Sequence, residues 1–255
     1  MFYGFHGRPD EQERVLRLIL EVKQAYQALG ARTYTGDMLC TFARNQSFVD
    51  DAKFRAAFDH NAGDDLEKTW LWRLHTLTWA ASQALKLDGD FVECGTYRGF
   101  MSAVICEFLD FETQPKSFYL YDSFAGLPED WSAEGERQHT NPVYARSEGY
   151  SEAAVRARFA RYPNVKVIAG VVPKVLHGTA PERISFLHID LNAALAEIAA
   201  LELLFDRVVP GGLIIFDDFG HMMHYAQHKL ETDWMRSRGY SILELPTGQG
   251  LVVKR

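Results

Sequence analysis

The chain has 255 residues, and its 27 Lys and Arg against 34 Asp and Glu give a formal charge of −7. Hydrophobic residues make up 47% and charged residues 24%, a globular composition that excludes wholesale disorder. The acidic balance has no basic run, which argues against a nucleic-acid or anionic-membrane partner. No stretch reaches the roughly 18 apolar residues of a membrane span. Residues 1–14 lack the basic-then-apolar order of a secretory signal. Cys40, Cys94 and Cys106 have no metal-type spacing. A cytoplasmic protein with reduced, mostly buried thiols is expected.

In chain order, Asp10 with Glu13 resembles a capping box. Val15, Leu18, Ile19, Val22, Tyr26 and Leu29 then recur at helical spacing as far as Gly30. Residues 31–65 read as short helices and loops, with Phe42, Phe48, Phe54 and Phe58 scattered through them. A longer helix is predicted over 68–87, its apolar face carrying Leu71, Leu74, Thr78, Ala81 and Leu85. From residue 90 the rhythm changes. Short apolar runs at 91–94, 118–121, 165–169, 184–189 and 213–216 alternate with helical segments. Runs of that kind fit strands buried on both faces of a parallel sheet. Helices are predicted over 194–205 and 223–238, with Pro210-Gly211-Gly212 as the turn between the first of them and the next strand. Strands 242–245 and 251–253 are close enough for a hairpin, so one of them runs antiparallel to the rest. The expected class is α/β, a Rossmann-like, mostly parallel sheet with helices on both faces.

In such sheets ligands bind beyond the carboxyl ends of the strands. The first strand ends in Glu93-Cys94-Gly95-Thr96-Tyr97-Arg98-Gly99. Its glycines permit a sharp turn and close backbone approach, ahead of a helix N-terminus. Tyr97 replaces the middle glycine of the dinucleotide fingerprint, so a ligand with a ribose and an amino-acid-like tail fits better than a diphosphate. The second strand ends at Asp122, well placed to accept hydrogen bonds from ribose hydroxyls. Asp190 ends the fourth strand and Asp217-Asp218 the fifth. Three converging carboxylates repel one another unless a cation such as Mg²⁺ neutralises them. His221 lies nearest these acids. His224 and His228 read as partly exposed helix residues, and Tyr225 after His224 excludes the zinc-protease pattern.

Together, Glu93-x-Gly95-x-x-x-Gly99, Asp122-Ser-Phe-x-Gly-Leu-Pro, Asp190 and Pro210-Gly-Gly-x-x-x-x-Asp217-Asp218-Phe-Gly resemble the macrocin O-methyltransferase (TylF/MycF) family over roughly residues 68–255. The resemblance implies an S-adenosylmethionine-dependent O-methyltransferase with a seven-stranded sheet whose last strand is antiparallel. It also implies Mg²⁺ dependence and a small-molecule substrate, a hydroxyl of a sugar or other natural product. Cofactor contacts would come from Glu93, Gly95, Thr96, Tyr97, Arg98, Gly99, Asp122, Ser123 and Asp190. Asp190, Asp217 and Asp218 would ligate the metal, with Asp190 or His221 as base. The chain departs from the family after Asp190: Leu191-Asn192-Ala193-Ala194 stands where members continue Leu-Tyr-Glu. Ala193 excludes a lysine base at that position.

Two alternatives are an NAD-dependent oxidoreductase on a related sheet and a non-catalytic scaffold that keeps the fold. Residues 1–67 carry no matching motif and read as a helical extension that covers the site or builds a homodimer contact. The insertion 124–150, with Trp131, His139, Tyr144 and Tyr150, is expected to lie over the site.

Overall fold

The computed structural model describes residues 8–255. The chain divides into two compact units at His75/Thr76, a point inside one helix.

In the N-terminal unit, helix α1 spans Pro9–Ala28. It starts earlier than the Asp10/Glu13 pair predicts, because Glu11 accepts a hydrogen bond from the Arg8 backbone N–H at 2.9 Å. Gly30 follows it in the left-handed region. Of its expected inward face, Leu18, Val22 and Leu29 are exposed. Residues 31–65 hold a hairpin absent from the sequence reading, β1 (Thr33–Gly36) against antiparallel β2 (Leu39–Phe42). Its two-residue turn, Asp37-Met38, has φ of 49° and 57°. Such a turn matches strand twist but usually announces itself with glycine. Asp37 is held in a buried ion pair by Arg73, 2.8 Å away. Helix α2 (Ala52–Asn61) is capped by Asp51, which accepts from the Phe54 N–H. The scattered aromatics become this unit's core: Phe48, Phe54 and Phe58 are buried, and Phe48 stacks on His75. The predicted long helix is a 3-10 turn followed by α3 (Leu71–Ala84).

The second unit is a seven-stranded sheet. Its strands are β3 (Asp90–Cys94), β4 (Phe118–Asp122), β5 (Val165–Ala169), β6 (Ile184–Ile189), β7 (Val208–Phe216), β8 (Leu243–Glu244) and β9 (Gly250–Val253). Their spatial order is β5-β4-β3-β6-β7-β9-β8. Strands β3 to β7 pair in parallel, and β9 pairs antiparallel to both β7 and β8. Helices α4 (Phe100–Phe108), α5 (Glu134–Arg146), α6 (Glu152–Arg158), α7 (Ala194–Leu204) and α8 (Tyr225–Ser237) fill the connections. Pro210–Gly212, expected as a turn before the strand, lies within β7. It forms a bulge there, since β6 residues 184 and 186 pair with β7 residues 208 and 213. At the other end of the sheet from the acids, Phe91, Phe111, Phe118 and Phe186 pack ring on ring and are fully buried. Each such ring contributes about 1.5–3 kcal/mol by leaving water. Cys94 and Cys106 are buried and Cys40 is half-buried, all three as free thiols. No helix among the described residues is long and apolar enough to cross a membrane.

The chain moves from β3 outward through β4 to β5, then returns to place β6 on the other side of β3. That reversal puts the carboxyl ends of β4, β3, β6 and β7 side by side, the switch point where such sheets bind ligands.

Candidate active site

The loop after β3 is shaped by close approach. Gly95 has φ of 92°, and a Cβ there would lie 1.8 Å from the carbonyl oxygen of Asp190. Only glycine lets the ends of β3 and β6 meet this tightly. Thr96 is buried, and the Arg98 guanidinium lies over the Tyr97 ring. Gly99, at φ 75°, caps α4. Glu93, expected at the cofactor, is 2% exposed and committed inside the protein. Its Oε2 accepts from the Ser102 hydroxyl at 2.7 Å, and its Oε1 lies 3.0 Å from His188 Nδ1.

Asp122 stands at the end of β4, as expected. Its carboxylate accepts from the Tyr97 and Phe124 N–H groups, each at 2.7 Å, and from the Tyr150 hydroxyl at 3.1 Å. Burial raises its pKa, and these three donors oppose the rise without cancelling it. Ser123 donates to the Gly126 carbonyl and so shapes the loop. Within this unit the insertion does reach the site: Gly126, Leu127, Pro128, Tyr144 and Tyr150 line the same cleft as Gly95, Asp122 and Asp190. Trp131 and His139 are not among its lining residues. Tyr97, Tyr144 and Tyr150 pack against one another, with centroids 4.9–5.4 Å apart.

Asp190, Asp217 and Asp218 come together. One oxygen from each lies within 4.8 Å of the others, the one such group of acids, histidines or cysteines among the described residues. Two oxygens on one ion lie at most about 4.2 Å apart for Mg²⁺ and about 4.8 Å for Ca²⁺, from their usual bond lengths. Three ligands cannot all be opposite one another, so the trio would draw in to share one hard divalent cation, and its all-oxygen donor set suits one. Each acid also has neighbours within the protein. Asp190 accepts from the Asn192 side chain at 3.1 Å, and Asn192 is left-handed with φ of 53°. Asp217 Oδ1 accepts from Gln249 at 3.0 Å and faces His188 Nε2 at 3.3 Å. Asp218 faces His221 at 3.8 Å and His224 at 3.7 Å.

His221 thus sits beside the acids as expected. His224 does too, contrary to its reading as a helix-surface residue, because it lies in a 3-10 turn ahead of α8. His228 stays apart, its Nδ1 on the Phe219 carbonyl. The residue most clearly missed is His188, fully buried between Glu93 and Asp217. Burial alone would lower its pKa. Hydrogen bonds and charge from Asp217 and Glu93 outweigh burial and hold it up at about 10. Its one sequence signal was a titratable residue inside a largely apolar strand, two positions before Asp190.

A sequence model described as Macrocin-O-methyltransferase (TylF) matches residues 67–237. A Streptomyces olivaceus protein, the 8-demethyl-8-(2,3-dimethoxy-alpha-L-rhamnosyl)-tetracenomycin-C 4'-O-methyltransferase, is 30% identical over 165 residues. That alignment covers 58% of this chain and 60% of the relative, so the chain matches less than two thirds of the relative's length. The solved structure of the O-methyltransferase NovP superposes with a TM-score of 0.62 at 20% identity, covering 72% of this chain and 80% of that one. CalS11, a calicheamicin methyltransferase, gives 0.58 at 14% identity over 82% and 94% of the two chains. These two likenesses establish a shared fold. The matched span runs from ahead of β3 through α8 and takes in every strand end that carries an acid of the site, so the chain belongs to the macrocin-O-methyltransferase (TylF) family.

Proposed function

We propose that this protein is an S-adenosylmethionine-dependent O-methyltransferase acting on a hydroxyl of a sugar or other small natural product, with Mg²⁺ held by Asp190, Asp217 and Asp218. The observation that carries the reading is the meeting of these three carboxylates beside Gly95 and Asp122, at the switch point of the sheet. Family membership supports methyl transfer and argues against the dinucleotide oxidoreductase. The rhamnosyl group in the relative's name supports a sugar acceptor.

The loop Gly95–Gly99 and Ser123 would bind the cofactor, and Asp122 its ribose. Bound at the trio, Mg²⁺ would supply Lewis acidity that lowers the pKa of an acceptor hydroxyl. Asp190 and His221 are the groups to receive the acceptor's proton. Tyr144 and Tyr150 present ring surface to the cleft and would exclude water from it.

The test is calorimetric titration with S-adenosylhomocysteine and with NAD, followed by methyl transfer to a panel of glycosylated natural products. Binding of the first ligand only is expected, with turnover abolished by chelator and restored by Mg²⁺. Binding of NAD alone would overturn the methyltransferase reading. Undiminished turnover in excess chelator would remove the metal from it.

A further inference from the structure

A fully buried histidine joins the loop strand to the acid trio without belonging to either. His188 lies on β6, between β3 and β7, in register with Glu93. Its Nδ1 is 3.0 Å from Glu93 Oε1, and its Nε2 is 3.3 Å from Asp217 Oδ1. On the far side Glu93 is itself fixed, because Ser102, fully buried on α4, donates to its other oxygen at 2.7 Å. On the near side Gln249, also fully buried, donates to the same Asp217 oxygen at 3.0 Å. The Thr247 hydroxyl donates to Gln249 Oε1 at 2.9 Å and so fixes the amide with its NH₂ toward Asp217. One oxygen of Asp217 is thereby gripped from two directions, by β6 on one side of β7 and by the connection just ahead of β9 on the other. A carboxylate held in that way cannot swing about its Cβ–Cγ bond.

We infer that His188 is a positioning residue for the metal centre: anchored on Glu93, it orients the Asp217 carboxylate for a divalent cation shared with Asp190 and Asp218. The inference rests on the metal-dependent reading above. A residue that only filled space at this point would be replaceable by a hydrophobe of similar size. A bridging group is not, since the two ring nitrogens do different work. Partners that orient metal ligands typically govern affinity for the ion while leaving neighbouring sites intact.

Three variants separate these roles, with Mn²⁺ binding followed by electron paramagnetic resonance and S-adenosylhomocysteine binding by calorimetry. His188→Leu removes both contacts. It is expected to weaken Mn²⁺ by about 10–100-fold and S-adenosylhomocysteine by no more than about threefold. The amide nitrogen of His188→Gln stands near the place of Nε2 and is expected to restore Mn²⁺ binding to within about threefold of wild type. In His188→Asn the amide stands near Nδ1, keeps the Glu93 side only, and is expected to behave like Leu. If His188→Leu does not fold, the Gln and Asn variants decide between the two roles. Wild-type Mn²⁺ affinity in a folded Leu variant, or equal weakening by Gln and Asn, would overturn the inference. Wild-type protein that binds S-adenosylhomocysteine but no Mn²⁺ would instead refute the metal reading itself and the positioning role with it.

Discussion

Replacing Gly95 with alanine tests the contact on which the site is built. The added Cβ would lie 1.8 Å from the Asp190 carbonyl oxygen, against the 3.0 Å that real Cβ atoms respect, so something must move by at least 3.0 − 1.8 = 1.2 Å. Neither side is loose. Gly95 N–H donates to the Tyr121 carbonyl at 2.8 Å, and Asp190 N–H donates to the Cys94 carbonyl at 2.8 Å. Whatever part of the shift the Asp190 backbone takes carries its side chain, one of the three acids, with it. A misplacement of about 1 Å at a reacting centre can lower turnover by about 100-fold. The positive φ adds strain of about 1–3 kcal/mol to the fold. Gly178→Ala supplies the control, because Gly178 has φ of 79° but no atom within 4 Å of the added Cβ. Thermal melts and methyl-transfer rates read the two effects apart. Both variants should lose stability, Gly95→Ala more, and only Gly95→Ala should lose Mn²⁺ affinity and turnover. If Gly95→Ala retains both functions, the close approach does not set the position of Asp190.

Asp122→Asn places an amide NH₂ against one of two backbone N–H donors, Tyr97 or Phe124. Leaving that donor unpaired should cost about 1–3 kcal/mol of stability and at least about tenfold in S-adenosylhomocysteine affinity. Unchanged affinity by calorimetry would reject the ribose role. Glu231 on α8 lies against Glu197 on α7, within reach of the Asp218 charge, and is 1% exposed. Burial pushes its pKa from 4.5 to about 7 and that of Glu197 well above the ordinary range. Native protein thus keeps a proton that the unfolded chain releases. The stability due to this group is full below about pH 4.5 and lost as pH rises through about 7. Glu231→Gln should therefore gain about 1–3 kcal/mol relative to wild type at pH 8 and almost nothing at pH 4.5. An equal difference at both pH values in denaturant melts would refute the linkage.

Strand ends were readable because parallel strands buried on both faces carry near-continuous apolar runs. The first polar residue after such a run marks the exit from the core. Asp122, Asp190 and Asp217 each hold that position. The N-terminal hairpin gave no such signal. Its strands have four residues each, all but Gly36 half-buried, and its turn residues Asp37 and Met38 reach positive φ without glycine. What holds Asp37 there is Arg73, 36 residues away, and a contact at that range leaves no local pattern. Helix α1 shows the converse. Its periodicity correctly announces a helix, yet Leu18 at 50% and Leu29 at 82% exposed show that period alone does not say what covers a face.

Of the three histidines beside the acids, His224 and His188 were not expected there, for different physical reasons. The predicted helix over 223–238 makes His224 and His228 partly exposed residues of one regular helix. A 3-10 turn at Met222–His224 breaks that geometry and aims His224 at Asp218, while His228 turns to Phe219. His188 raised no suspicion because a single histidine in a strand predicts nothing about its partners. Those partners lie 95 residues before it and 29 after it, and only the strand order β3-β6-β7 makes them neighbours. A buried histidine flanked by two buried acids is costly to fold unless every hydrogen bond is made. Here each ring nitrogen meets a carboxylate, and each carboxylate has a further donor. A sheet core could fill that space with leucine at no such cost. Retaining a polar chain from Ser102 to Thr247 beneath the acid trio is therefore better explained by the orientation it imposes on Asp217 than by the stability it contributes.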